Sequence, residues 1–422
     1  MTLAELVAEL LGPDPPVAVE LHDGSVVGPA DAPARLVFRS PDVLQRLATA
    51  PGELGFARAY VAGELDVEGD IYAALELHER LAAARLSARQ WLAAARLVGR
   101  EGLRPLAPPA EEAQLHGRRH SRERDAAAIA HHYDVSNHFY RLVLGPSLTY
   151  SCAVFSEPLL TLEEAQAAKH ELVCAKLGLE EGMRLLDVGC GWGSLLMHAA
   201  EHYGVHGVGV TLSRAQADLA RERIAEAGLA NRVDVRLADY RDLRGERFDA
   251  IASIGMFEHV GRSQLAVYFR RLHELLRPRG RLLNHGISRP PGHRPRFGRR
   301  GFVQRYVFPD GELHEIGSVV STIQRAGFEA RHVESLREHY ALTLRRWVAN
   351  LEEGWEEAVA EVGPARARIW RLYMAGSALG FEAGRLQVHQ VLAVRAERGQ
   401  SGLPLPPGAW EREEARTSQQ QV

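Results

Sequence analysis

Between Leu185 and Gly193 the chain reads LLDVGCGWG. An apolar run that closes on the carboxylate of Asp187 reads as a buried parallel strand. It passes directly into Gly189, Gly191 and Gly193, alternate glycines that let a backbone turn sharply and come close to a ligand. Ser194 then stands in cap position before a stretch with an apolar face, so a helix is expected to start there. Strand, glycine loop and helix in that order make a nucleotide-binding turn. A dinucleotide loop would read G-x-G-x-x-G, with an acid about 20 residues further on at the end of the second strand. Here the spacing is G-x-G-x-G and the second strand, 206–211, runs into Thr211, Leu212 and Ser213 without a carboxylate. The shorter loop suits a ligand with no pyrophosphate, S-adenosylmethionine being the commonest, although a lone loop of this kind is also compatible with a plain tight turn.

Periodicity gives the elements that must carry these residues. After an amphipathic helix at 163–177 come strand 184–189, helix 194–203, strand 206–211, helix 213–227, strand 233–238, strand 248–254, helix 262–276 and strand 281–288. The alternation predicts an α/β fold, a doubly wound and mostly parallel sheet with helices on both faces and a ligand at the carboxyl ends of its strands. Helices at about 343–362 and 365–383 and a strand at 385–395 complete it. Residues 1–104 read as a smaller α+β accessory domain, with an opening helix at 2–11, strands near 17–21 and 36–39, and a mostly helical stretch at 71–97. Residues 105–125 read as a linker, 126–398 as the catalytic domain and 399–422 as a polar, disordered tail.

At 422 residues and 46% hydrophobic composition the chain can fill a substantial core, and a net charge of −3 gives no electrostatic footprint for nucleic acid. Cys152, Cys174 and Cys190 supply neither a full disulfide set nor paired zinc spacing, so no metal and a reducing cytoplasm are expected. The N-terminus lacks a basic n-region and no apolar run approaches bilayer length, which leaves only peripheral contact with the inner face of a membrane. The segment 289–310, RPPGHRPRFGRRGFVQRYVFPD, has two readings. It is a solvated loop, or a surface whose Arg289, Arg294, Arg296, Arg299, Arg300 and Arg305 meet anionic headgroups while Phe297, Phe302 and Tyr306 sit at the interface.

Further motifs make the sequence specific. They are His132-Tyr133-Asp134 with Asn137 and Tyr140; Thr149-Tyr150-Ser151-Cys152; the glycine loop; Gly209 to Ser213 with Gln216; Asp239-Tyr240-Arg241-Asp242; Gly255 to Gly261 (GMFEHVG); Tyr306-Val307-Phe308-Pro309; and Tyr340 seven residues before Trp347. On these the chain resembles the cyclopropane fatty acyl phospholipid synthase family, which includes the mycolic acid cyclopropane synthases and methyl-branching relatives, over about 125–395. The accessory segment 55–66 is similar to that family's N-terminal domain. The sequence departs from the family at Ser136, where Gly is usual, at Gly145, where Asp is common, at His314-Glu315 and at Glu382.

The resemblance implies a class I methyltransferase-like fold and transfer of a methyl or methylene carbon from S-adenosylmethionine to the double bond of an unsaturated phospholipid acyl chain. It implies cofactor contacts at Tyr150, Ser151, Asp187, Gly189, Gly191, Gly193, Thr211, Leu212, Ser213, Gln216, Asp239 and Tyr240, with Asp239 accepting from the adenine amine; a helix cap is the plain alternative for Asp239. It further implies a bound bicarbonate that removes a proton after methyl transfer. Its anchors match Cys152 and Ile287 through backbone groups and Glu258, His285 and Tyr340 through side chains. Taken singly, each of these has an ordinary structural reading: a buried thiol, a surface ion pair, a satisfied core histidine, a packed tyrosine. Relatives are often dimers, so a homodimer is an expectation by analogy. The product is open between a cyclopropane and a 10-methylene chain, and the departures suggest a reshaped acyl pocket. A small-molecule methyltransferase and a non-catalytic cofactor-binding protein are the competing readings.

Overall fold

The structure, a computed structural model, describes the chain apart from residues 14, 84–86, 100, 101, 103, 114–116, 118–120, 122, 123, 126, 127, 129–131, 133, 134, 158, 293–300 and 405–422. It divides into two units: Met1–Gln114 with Pro295–Pro309 and Leu351–Leu379, and Leu115–Arg294 with Asp310–Asn350 and Gly380–Val422. The first unit is therefore not confined to residues 1–104, because two later segments return to it.

In the first unit, β1 (Ala18–Glu20), β2 (Val26–Val27), β3 (Ala34–Phe38) and β4 (Leu65–Gly69) form a sheet in the order β2-β1-β3-β4. The opening helix, Leu3–Leu11, starts on a capping box in which Thr2 and Glu5 satisfy each other's backbone donors. The returning segments are tied in by charge. Arg371 donates to Glu352 Oε1 at 2.7 Å, to the Tyr60 hydroxyl at 3.2 Å and to the carbonyls of Val67 and Gly69, each at 3.2 Å. Glu112 accepts from Arg58 at 2.9 Å, from the Tyr306 hydroxyl at 3.1 Å and from Arg305. These contacts correct part of the headgroup reading of 289–310. Phe302 and Tyr306 are buried within this unit and Arg305 is paired, so none of the three stands at an interface. Arg294, Arg296, Phe297, Arg299 and Arg300 lie outside the described residues.

The second unit carries β5 (Arg184–Val188), β6 (His206–Thr211), β7 (Val233–Leu237), β8 (Phe248–Ile254), β9 (Leu276–Arg289), β10 (His314–Glu315), β11 (Glu329–Ser335) and β12 (Gln387–Val394). Among the described residues they form one sheet in the order β11-β12-β9-β8-β5-β6-β7, with β10 on β9. Pairings from β9 to β7 are parallel, whereas β12 runs antiparallel to both β9 and β11. The strand order reverses between β5 and β8, and such a switch point opens a crevice at the carboxyl ends. Strand β11, EARHVES, was not among the expected strands. It is an edge strand with no residue fully buried, so it lacks the apolar alternation that betrays its neighbours.

Helix Leu162–Leu177 covers one face of this sheet. A capping box at Thr161 and Glu164 starts it and Gly178, in the left-handed region, stops it. Its Val173, Cys174 and Leu177 pack with Leu185, Ala250, Ala252, Leu283 and Leu392 from four strands. No helix among the described residues is long and apolar enough to cross a membrane.

Candidate active site

The loop after β5 is held by backbone bonds, with the N–H groups of Gly189 and Cys190 donating to the Val210 carbonyl at 2.9 and 3.1 Å. Gly191 has φ +54°, and a β-carbon there would meet only Gln216 Nε2, at 4.0 Å, so a side chain would stand in open space above the loop. Gly193 differs. A β-carbon at Gly193 would rest on Ala220 and Ile224, at 3.5 and 3.7 Å, and Gly193 does not line the cleft above the loop. Ser194 does not cap the following helix, Ser194–Tyr203; Gly193 occupies the cap position in the left-handed region, and the Ser194 hydroxyl donates instead to the Ser147 carbonyl.

A cleft opens above this loop, about 950 Å³ including space open to solvent. Of the expected cofactor contacts, Tyr150, Ser151, Asp187, Gly189, Gly191, Thr211, Leu212, Gln216, Asp239 and Tyr240 line it. Ser213 does not. It caps helix Arg214–Glu226, accepting from the Gln216 N–H at 3.2 Å. The Thr211 hydroxyl donates to Gln216 Oε1 at 2.8 Å, which leaves the Gln216 amide nitrogen facing Gly191. Asp239, while lining the cleft, also caps the turn Tyr240–Asp242 through the Arg241 N–H at 2.8 Å and pairs with the Arg241 guanidinium at 2.5 Å.

Several lining residues were not anticipated, chiefly Lys169, His170, Met256 and His259. Lys169 is only 1% exposed, yet it borders the cleft and forms no ion pair among the described residues. Burial pulls its pKa down to about 8, partly opposed by the charge of Asp187. Burial likewise pushes Asp187 up to about 7, against the pull of Lys169. Opposite charges held in a cleft without bonding each other can receive a zwitterion, the carboxylate at Lys169 and the ammonium at Asp187. A signal existed in the sequence: the buried stripe of helix Leu162–Leu177 runs 162, 165, 166, 169, 170, 173, 174, 176, 177 and is broken by Gln166, Lys169, His170 and Lys176.

Aromatic rings run from the loop into the interior. Trp192 lies 4.8 Å from Tyr140, Tyr140 5.8 Å from Tyr150, Tyr150 5.3 Å from Trp347, Trp347 6.0 Å from Tyr340 and Tyr340 4.8 Å from Phe381, centroid to centroid. The upstream motif locks this chain, as Trp192 Nε1 donates to Asn137 Oδ1 at 2.8 Å and the Tyr140 hydroxyl to the His132 carbonyl at 2.6 Å. Tyr133 and Asp134 lie outside the described residues.

The five expected anchors fall into linked groups. Glu258, in the short helix Phe257–Val260, accepts the Ile287 N–H on Oε1 at 2.6 Å, while Oε2 is buried with no partner. Desolvation raises its pKa to about 7. The Ile287 N–H is thus engaged in holding Glu258. His285 is buried, its Nδ1 is 3.2 Å from Gln390 Nε2, and its Nε2 has no partner. Burial first, then the nearby charges of Lys169 and Lys176, lower its pKa to about 3, so it is neutral at ordinary pH. Cys152 is fully buried, its Sγ donating to the carbonyls of Ala153 at 3.2 Å and Leu336 at 3.6 Å, and the Leu336 carbonyl also accepts the Tyr340 N–H at 3.1 Å. Cys152 is no nucleophile, because burial drives its thiol pKa far up. Lys169 is the charge felt by both Cys152 and His285.

Three of the four departures have local causes. Ser136 caps helix Asn137–Leu144. Gly145, at φ +79°, leaves room for Glu163, whose Oε1 would lie 2.7 Å from a β-carbon there. Glu382 pairs with Arg345. His314 lies 6.2 Å from the Phe257 ring, beside Glu258.

The family model described as mycolic acid cyclopropane synthetase matches residues 120–391. A protein of Mycobacterium tuberculosis named a probable fatty acid methyltransferase is 48% identical over 404 residues, 93% of this chain and 94% of that one. Another of that name from Pseudomonas putida is 40% identical over 421 residues, 98% of this chain and 99% of that one. Among solved structures, a mycolic acid cyclopropane synthase described in complex with SAH and CTAB superposes with a TM-score of 0.61 at 37% identity, covering 64% of this chain and 98% of that one.

The cleft geometry predicts two binding results. Gly191→Val is expected to abolish calorimetric binding of S-adenosylhomocysteine, because the side chain fills ligand space at a strained φ. Lys169→Met is expected to weaken it about tenfold to a hundredfold, the worth of one hydrogen bond to a charged group. Wild-type affinity should fall as pH rises through about 8, where Lys169 loses its proton. The variant should lack that limb, and an identical pH profile in both proteins would contradict the assignment.

Proposed function

The chain belongs to the mycolic acid cyclopropane synthetase family, and from that premise we propose that it acts on the double bond of an unsaturated phospholipid acyl chain and closes a cyclopropane ring. It is an S-adenosylmethionine-dependent enzyme of fatty acid methyl or methylene transfer. The observation that carries the finer reading is that two polar atoms, Glu258 Oε2 and His285 Nε2, are each buried without a partner in a unit whose cofactor cleft is bordered by a run of aromatic rings.

When bound, S-adenosylmethionine supplies an electrophilic methyl carbon. Gly189 and Gly191 admit it close to the backbone, and Lys169 with Asp187 receives the charges of its amino-acid end. An alkene has no proton to lose before attack, so the chain needs no base at that stage. A cation then develops on the acyl chain, and the faces of Tyr150, Trp347 and Tyr340 offer it stabilisation without a nucleophile that would trap it. Bicarbonate fits the two orphaned atoms because it has both an O–H to donate and oxygens to accept, and when bound it supplies the base that takes the final proton. Glu258, near neutral pH, is poised to hold or exchange a proton there, while neutral His285 adds no positive charge to the site.

Membrane phospholipid at the inner face is the source of acyl chains we favour, with the protein bound peripherally. A second product stays in view because the two relatives described above are named probable fatty acid methyltransferases rather than cyclopropane synthases. If the cation takes the neighbouring hydride first, the same base leaves an exocyclic methylene, the precursor of a methyl branch. Both routes use the same residues.

Glu258→Ala and Tyr340→Phe are expected to keep affinity for S-adenosylhomocysteine and to cut turnover by about a hundredfold or more. Wild-type turnover should fall in bicarbonate-depleted buffer and recover on adding it back; an indifferent rate would remove bicarbonate from the account. For the product, cells rich in monounsaturated lipid would express the enzyme with a methyl-deuterated methionine supply. Phospholipid-borne acyl chains should show a ring CD2 by NMR. A vinylic CD2 would establish the methylene product instead, and label confined to free acids or other acyl esters would displace phospholipid as substrate.

A further inference from the structure

Three neighbouring strands place Glu334 of β11, Gln390 of β12 and His285 of β9 in one cross-strand row, Glu334 paired with Gln390 and Gln390 with His285. Cross-strand partners share a face of the sheet. From helix Leu162–Leu177 on that face, Lys176 enters the row with its side chain 1% exposed, its Nζ donating to Gln390 Oε1 at 2.6 Å and to Glu334. Gln390 in turn meets His285 Nδ1 at 3.2 Å.

The chemistry of donors fixes the direction of this row. An ammonium has donors and no acceptor, so the Gln390 atom that faces Lys176 must be the carbonyl oxygen. The amide nitrogen then faces His285, and because it too can only donate, His285 Nδ1 must accept. A neutral imidazole carries one N–H, so the proton resides on Nε2. Nε2 is the buried atom without a partner. With Lys176 absent, the Gln390 amide would be free to turn over, and either tautomer could form.

We propose that Lys176, acting through Gln390, is a positioning residue that holds His285 as the Nε2–H tautomer and thereby presents a fixed N–H donor to an oxyanion. The tautomer assignment stands on the row alone; its consequence for catalysis rests on the role given above to His285. Glu334, one-third exposed, anchors the ammonium at the outer end of the row and keeps Lys176 from competing for the same oxyanion.

The test exploits a near-isosteric reversal of polarity. In Gln390→Glu the new carboxylate still satisfies Lys176 but can only accept from His285, so the proton should move to Nδ1. Protein labelled with 15N in its histidine rings, with His285→Asn used for assignment, reports which nitrogen carries hydrogen through its shift and its couplings to the ring protons. Expected are Nε2–H in the wild type, Nδ1–H in Gln390→Glu and a mixture in Lys176→Met, with S-adenosylhomocysteine affinity unchanged as the check on folding. Turnover should drop about a hundredfold in Gln390→Glu, as for loss of one oriented donor. Nδ1–H in the wild type, or an unchanged tautomer in Gln390→Glu, would overturn the inference. A tautomer that switches while turnover stays constant would leave the row standing and remove His285 from the reaction.

Discussion

Two lysine ammonium groups, seven residues apart on helix Leu162–Leu177, are carried into the interior, with Lys169 1% and Lys176 0% exposed. Seven residues are nearly two turns, so both lie on the face that packs against the sheet. Taking each charge out of water costs several kcal/mol unless it is compensated. Lys176 is compensated within the protein by Glu334 and Gln390. Lys169 has no such bonded partner, and its compensation is displaced to the cleft, where Asp187 acts at a distance and a ligand carboxylate can complete it. The two positions thus divide the labour of one helix, one ordering a protein group and the other left open for a small molecule.

The remaining geometry follows from where that helix lies. Its apolar residues settle on β5, β8, β9 and β12, so its lysines reach the carboxyl end of β5 and the middle of the β12–β9 pair. The switch point between β5 and β8 opens the cofactor cleft. At the next strand, Ile287 holds Glu258 through one oxygen and leaves the other bare. A bare carboxyl oxygen and a bare imidazole nitrogen, both buried, are costly unless something polar reaches them. The protein maintains this cost in the unit that also carries its run of aromatic rings.

Much of this was legible beforehand. The glycine spacing at 189, 191 and 193 and the missing acid after β6 gave the cofactor class, and strand–helix alternation gave the sheet. What escaped had physical reasons. Lys169 and Lys176 look like solvated charges until the buried stripe of their helix is counted. Strand β11 hides its pairing in a polar edge sequence. Gly193 and Ser213 sit inside the right motifs but serve the turn and the helix cap, a distinction that requires knowing where a β-carbon or hydroxyl points. The division into units also could not be read from chain order, since segments 295–309 and 351–379 return to the N-terminal unit through ion pairs such as Arg368–Asp66 and Arg305–Glu112.

The central claim is that Glu258 and His285 leave their free atoms facing a shared oxyanion. The most direct measurement is a high-resolution crystal structure of the protein with S-adenosylhomocysteine, grown with bicarbonate and compared with crystals grown in its absence. The account predicts planar density, present only with bicarbonate, within hydrogen-bond distance of both Glu258 Oε2 and His285 Nε2. Density for water alone in both crystals, or a direct Glu258–His285 hydrogen bond that closes the space, would contradict it.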